Sequence, residues 1–264
     1  MSPAMDYSQL ADLYDTYANF TSDIPFFLNE ARQQGGEILE LMSGTGRVSL
    51  PLIESGLDLT CVDSSPQMLE VLRRKLAEWK LHASVKLMDV RELDLGKQFD
   101  LVFIPFNSFS ELISPIDQMA ALKRIQAHLT SEGKFICTLH NPAIRLRQVD
   151  GQLRLWGSNP LPDGSGKLVL WGAEKYQPEP GIVTGLQLFE TYDHQGLLKT
   201  RRMAEIRFAL LEGEAFEVLA NQAGFSVTAL YGDYGYTDFS AAFSPFMIYI
   251  LKHDQAGKSY EERN

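Results

Sequence analysis

Cysteine is almost missing from this chain: two residues in 264, Cys61 and Cys137, each inside an apolar run. That rules out a disulfide-built secreted scaffold and fits two small buried thiols in a reducing compartment. No metal-ligand spacing occurs among cysteines and histidines, so no metal site is expected. Long hydrophobic runs are also lacking; none approaches the roughly 18 apolar residues of a membrane-spanning helix. Met1 to Asp6 contains no basic segment followed by an apolar core, so no export signal is expected and the predicted location is the cytoplasm. Positive charge is in short supply. Lys and Arg number 24 against 34 Asp and Glu, a net charge of −10. The cations are scattered, and an acidic surface repels phosphate backbones, which disfavours nucleic-acid partners. Internal repeats are absent. What remains is an ordinary globular composition, 45% hydrophobic and 22% charged, able to bury a large core.

The first 140 residues carry a strand-then-helix rhythm, the pattern of a parallel sheet covered by helices. Residues 37–41, 58–62, 84–88, 99–104 and 133–139 are apolar runs of strand length. After Pro66, the residues Met68, Leu69, Leu72, Leu76 and Trp79 recur at helical steps. After Pro115, Ile116, Met119, Leu122, Ile125 and Leu129 do the same. Ser64 and Ser65 stand where helix caps belong, before a proline tolerated in a first turn. His128 falls off the second stripe and reads as a solvated residue, and Glu132-Gly133 reads as the turn into the fifth strand. From 145 to 210 the texture changes to alternating segments separated by Gly, Pro and Asp-Gly turns, an antiparallel meander inserted after the fifth strand. A helical stripe from Ala215 to Ala223, stopped by Gly224, then restores the earlier rhythm, and strands Phe225–Tyr231 and Phe246–Leu251 follow. The expected division is 1–144 and 211–252 as one α/β domain, 145–210 as a β insertion, and 253–264 as a frayed tail.

The chemistry concentrates at strand ends. Ile38-Leu39-Glu40-Leu41-Met42-Ser43-Gly44-Thr45-Gly46-Arg47 is an apolar strand, a carboxylate and a glycine turn that opens a helix. Gly44 and Gly46 allow close approach of backbone to a ligand, and the helix start presents free N–H groups at the same place. In a parallel sheet this is the carboxyl edge, where ligands bind. Asp63 ends the next strand, seventeen residues after Gly46. A buried unpaired Glu40 is costly, and a ligand ammonium would balance it; Asp63 can accept both hydroxyls of a ribose. S-adenosylmethionine carries both groups. Met68 suits the adenine face and Asp89 the adenine amino group. A dinucleotide-dependent reductase would share the glycine turn, but Glu40 and the lack of a final glycine argue against it.

These motifs resemble the class I S-adenosylmethionine-dependent methyltransferases over about residues 7–143 and 211–251. Glu40 to Gly46 is similar to the glycine-rich first motif, Asp63 to the second-strand acid, Asp89-Val90 to the adenine-edge motif, and Phe99 to Phe106 to the fourth-strand motif. Arg47 stands where a third glycine can occur. Tyr7, Tyr14-Asp15 and Tyr17 resemble the segment that closes over the methionine end in small-molecule members. The resemblance implies a Rossmann-like α/β fold: a seven-stranded, mostly parallel sheet with helices on both faces and the antiparallel insertion after its fifth strand. It implies a cofactor site of Tyr14, Glu40, Met42, Gly44, Gly46, Arg47, Asp63, Ser64, Met68, Asp89, Val90, Arg91, Pro105 and Phe106. S-adenosylmethionine is the expected cofactor and S-adenosylhomocysteine the product.

The meander resembles the insertion of methyltransferases that dimethylate amino groups of nucleotide-linked sugars. A small-molecule acceptor is therefore expected, methylated at nitrogen ahead of oxygen, with the meander as lid or homodimer surface. Methyl transfer needs an aligned nucleophile in a dry pocket. His140, directly after the fifth strand, is the candidate base, and Asn141 the group that orients the acceptor. Tyr17, Asn107, Phe109, Trp171, Tyr234 and Tyr236 are the candidate acceptor wall, since aromatic faces can cage an ammonium. Methylation of a carbon or a macromolecule on the same fold, and a cofactor-binding protein without turnover, are the remaining alternatives.

Overall fold

A computed structural model of the chain describes residues 5–254. Five short strands build the parallel part of the main sheet: β1 (Ile38–Leu41), β2 (Leu59–Asp63), β3 (Ser84–Leu87), β4 (Phe99–Ile104) and β5 (Leu129–His140). Two later strands, β10 (Phe225–Tyr231) and β11 (Phe246–His253), complete it in the order β10-β11-β5-β4-β1-β2-β3. Only β11 runs against its neighbours. Strand order reverses between β1 and β4, and a doubly wound sheet opens its ligand crevice at such a switch point. The central strands are buried on both faces. All four residues of β1 are buried, and the side chains of Ile38, Leu39 and Leu41 feed two hydrophobic clusters, one on each side of the sheet.

Three helices come first, α1 (Tyr14–Tyr17), α2 (Ile24–Gln34) and α3 (Ser49–Glu54), and local signals set the two that follow. In α4 (Pro66–Trp79), Ser65 accepts the Met68 N–H, Pro66 occupies the first turn, and Met68, Leu69, Leu72 and Leu76 are buried. In α5 (Pro115–Ala127), Ser114 plays the same capping part, and Ala121, Leu122 and Ile125 face the core. Both expected stripes are too long by a residue at one end: Trp79 is 52% and Ile116 82% exposed. The end of α5 departs further from expectation. The helix stops at Ala127, and β5 begins at Leu129, so Glu132 and Gly133 lie inside the strand. His128 is buried, not solvated. Its Nδ1 lies 2.7 Å from the Arg124 carbonyl oxygen, and its Nε2 accepts the Leu95 N–H at 2.9 Å. A ring at a helix C-terminus can satisfy both a free carbonyl and a passing loop, a role that hydrophobic periodicity does not reveal.

After β5 the chain makes an antiparallel four-stranded sheet, β6 (Arg154–Pro160), β7 (Gly166–Gln177), β8 (Ile182–Asp193) and β9 (Leu198–Ala209), paired in sequence order. The N-terminal segment packs on it. Leu10 and Leu13 join Leu168, Leu170, Phe189 and Ala204 in one cluster, and Arg202 binds Asp12 at 2.6 Å. From this platform, Tyr7, Ala11 and Tyr14 reach α4 beside Met68 and Val71. Helix α7 (Gly213–Gln222) then leads into β10. Strand β11 continues through His253, so His253 belongs to the sheet rather than to the expected tail; 255–264 lie outside the described residues.

Candidate active site

At the carboxyl edge of β1 and β2, the backbone turns through Met42 (φ 57°), Gly44 (φ 56°) and Gly46 (φ 84°). A side chain on Gly44 would meet nothing within 4 Å, because that residue faces open space. One on Gly46 would come within 2.4 Å of Leu72 Cδ1, so this glycine serves the contact with α4 instead. The turn is held by Asp63. Its Oδ2 accepts the Gly44 N–H and its Oδ1 the Ser65 N–H, both at 2.8 Å. Burial raises the Asp63 pKa, and these N–H groups oppose the rise.

A cavity of about 510 Å³ opens above this turn. Among the residues expected to hold a cofactor, Tyr14, Met42, Gly44, Asp63, Ser64, Met68, Asp89, Val90 and Arg91 line it. Asp89 takes the Arg91 N–H and guanidinium, which holds its carboxyl below the usual range; Arg91 also binds Asp117 at 3.1 Å. Glu40 is not in the cavity wall. It is 1% exposed, and the Ser49 hydroxyl donates to it. Burial pushes its pKa up to about 8, against the opposing effects of Ser49 and Arg47. The expectation that a ligand must supply its partner is thus revised, since Ser49 supplies one from within. Arg47 is likewise engaged inside the protein. It grips the fully buried Asp23 with both terminal nitrogens at 2.7 and 2.6 Å, donates to the Phe20 carbonyl, and lies over the Phe106 ring. Pro105, Phe106 and Gly46 do not line the cavity.

The expected catalytic and acceptor residues are not brought to this cavity. His140 packs against Phe208, and burial with the Arg145 charge drives its pKa down to about 3. Asn141 caps α6 (Pro142–Arg145) through the Ala143 N–H and donates to the carbonyls of Ala241 and Ser244, at 2.9 and 2.7 Å. Those bonds use the amide as a structural tie. Phe109 is core against Phe216, and Tyr234 packs among Phe20, Phe26, Phe27 and Phe246. Tyr236 donates to Glu30, Trp171 to Glu190, and Tyr17 packs on Phe189. Aromatic residues fill cores more often than they line sites, and pattern alone does not separate the two uses.

Among the cavity residues that the sequence reading left out are Glu111 and Arg207, and Tyr7 of the N-terminal segment joins them in the wall. Glu111 ends a short 3-10 turn after β4 (Ser108–Glu111) and accepts the Tyr7 hydroxyl at 2.8 Å. Burial raises its pKa to about 7, and the charge of Asp63 adds to the rise. A lone acid in the apolar stretch Phe109-Ser110-Glu111-Leu112 was the available signal.

The fit to a sulfonium nucleoside is concrete. Gly44 leaves room for backbone approach, Asp63 stands at the next strand tip, and Met68 offers an apolar face. The buried Ser43 hydroxyl and Asn107 Oδ1 have no hydrogen-bond partner among the described residues, and polar atoms so placed call for one. Residues 38–133 match the family model for a methyltransferase domain. These residues, which hold the glycine turn and strands β1 to β4, therefore form a methyltransferase domain. It is 26% identical over 234 residues to a glycine/sarcosine N-methyltransferase of Parasynechococcus marenigrum, covering 84% of this chain and 74% of that one. It is 28% identical over 140 residues to a dTDP-3-amino-3,6-dideoxy-alpha-D-glucopyranose N,N-dimethyltransferase of Streptomyces fradiae, about half of either chain (50% and 53%). The fold is similar to that of a S-adenosylmethionine-dependent methyltransferase from Clostridium acetobutylicum, with a TM-score of 0.79 over 94% of this chain and 98% of that one at 18% identity. No helix among the described residues is long and apolar enough to cross a membrane.

Proposed function

We propose that this enzyme methylates the nitrogen of a small-molecule amine, with the cavity above the glycine turn as the donor site. The observation that carries the reading is the joint placement of Gly44, Asp63, Met68 and Asp89-Val90 around one cavity. In it, Asp63 accepts from the ribose hydroxyls, Met68 covers the adenine, and Val90 with Asp89 meets the adenine edge. The Ser43 hydroxyl, unpartnered in the glycine turn, serves the methionine end. Bound S-adenosylmethionine supplies an electrophilic methyl group and leaves as the neutral sulfide. The protein's part is to align a neutral nitrogen in line with that carbon and to exclude water. Tyr7 and Tyr14, carried by the N-terminal segment, close the cavity on one side.

Preference for nitrogen draws support from the two N-methyltransferases named above, to which the chain is similar. His140 receives no step in this reading. It lies outside the cavity wall, and its surroundings oppose the protonated ring a base must become. Calorimetry with S-adenosylhomocysteine and with a nicotinamide dinucleotide tests the donor site, and a labelled-methyl screen over amines and phenols tests the acceptor. Binding of the dinucleotide alone would overturn the first part; methylation of phenols but not amines would overturn the second.

A further inference from the structure

Two hollows meet at Arg207. One is the cavity just described; the other is a groove of about 410 Å³ on the inserted sheet, lined by Lys175, Glu205 and Arg207 among others. Arg207 therefore forms a wall common to both. The two arginines of the main cavity differ sharply. Arg91 is engaged by Asp89 and Asp117, whereas Arg207 has no ion-pair partner among the described residues. Lys175 has none among them either. The groove thus presents two uncommitted cations against one carboxylate.

The opposite charge stands close by. Strand β9, which carries Arg207, packs against the turn that ends in Glu111. Glu111 gives one oxygen to the Tyr7 hydroxyl, and its other oxygen accepts no hydrogen bond from the described residues. It is half-buried and borders the cavity. A carboxylate and a guanidinium from different elements, facing one space without pairing with each other, match a ligand that carries both signs.

Resting on the donor-site reading above, we propose that the acceptor is an amine bearing an anionic group, its nitrogen directed to Glu111 and its anion to Arg207 and the groove beyond. Glu111 receives a proton from the incoming ammonium, leaving a neutral amine whose lone pair forms the new bond to the methyl carbon. The carbon–sulfur bond breaks with its electron pair going to sulfur. The pKa of Glu111, raised to about 7, suits that exchange near neutral pH. A carboxylate and a phosphate share the chemistry that Arg207 recognises, and matched probes separate them.

The test measures labelled-methyl transfer to glycine against glycinamide and to glucosamine 1-phosphate against glucosamine, alongside S-adenosylhomocysteine affinity. The expected result is a kcat/KM at least about tenfold higher for the anionic member of one pair. Arg207→Gln should then raise its KM by about tenfold, with Lys175→Gln adding a smaller increase. Glu111→Gln should lower kcat by at least about tenfold while S-adenosylhomocysteine affinity stays unchanged in all three variants. The proposal falls if the neutral members react equally well, if Arg207→Gln leaves KM alone, or if no probe is methylated by an enzyme that binds S-adenosylhomocysteine. Failure of the wild-type protein to bind S-adenosylhomocysteine would instead overturn the donor-site reading.

Discussion

Two acids at the carboxyl edge of the sheet, Asp63 half-buried and Glu40 buried, differ in what surrounds them, and their behaviour on mutation should differ accordingly. Asp63 borders the cavity with both oxygens already receiving backbone N–H groups, which fixes its orientation before any ligand arrives. Asp63→Ala should weaken S-adenosylhomocysteine binding by about 1–3 kcal/mol, the worth of charge-assisted hydrogen bonds; titration calorimetry checks it, and unchanged affinity would remove the ribose role. Glu40 lies behind the turn, and its pKa of about 8 stands far above that of an unfolded carboxyl, near 4.3. Its protonated form favours the fold. That contribution is fully present below about pH 4 and is lost as pH rises through about 8. In Glu40→Gln, the decline in unfolding free energy of the ligand-free protein between about pH 5 and 8.5 should be smaller than in wild type. Denaturant unfolding over that range measures it, and parallel pH curves would show Glu40 ionised throughout.

Among the elements, the link between β5 and the loop before β11 depends on one amide. Asn141 caps α6 and bonds the carbonyls of Ala241 and Ser244 while 2% exposed. Asn141→Ala strands these groups and should cost about 1–3 kcal/mol of stability with little direct effect on cofactor affinity. Thermal unfolding and S-adenosylhomocysteine titration together distinguish that outcome from a loss of acceptor binding. The elements themselves were legible. Strand runs, proline-led helices and the meander all stand close to where periodicity placed them, since burial on one or both faces writes a period into the chain. Their ends were less so. Leu129 continues the apolar stripe of α5, but its backbone pairs with Phe99 as the first residue of β5. A hydrophobic residue at a junction satisfies either element, and only strand pairing decides between them.

At the scale of the whole molecule, the cavity is closed by chain from distant parts. Residues 5–17 lie between the inserted sheet and α4, with Leu10 at 1% and Leu13 at 7% exposure. Leu10→Ala with Leu13→Ala removes apolar contact worth about 2–5 kcal/mol per site. The expected outcome is faster proteolysis near the N-terminus and weaker S-adenosylhomocysteine binding, with S-adenosylhomocysteine slowing cleavage of the wild-type chain. Cleavage as slow as in wild type would mean the segment is held elsewhere. The inserted sheet also exposes Leu155, Trp156 and Met203. We retain it as a proposed homodimer surface, for which sedimentation of wild type and Met203→Glu is the check.

The sequence by itself determined the sheet, the glycine turn, and the acids at the tips of β1 and β2, because these depend on short-range spacing along single strands. It also indicated the methyl donor, since that ligand's two ends call for groups close together in the chain. Only the tertiary structure decided which polar and aromatic residues face the cavity. His140, Asn141 and Tyr234 turn to internal partners, while Glu111, Tyr7 and Arg207, separated by up to 200 positions in sequence, meet around one space. The physical reason is that a side chain's charge and shape are properties of the residue, whereas its desolvation and its partners belong to the packed fold.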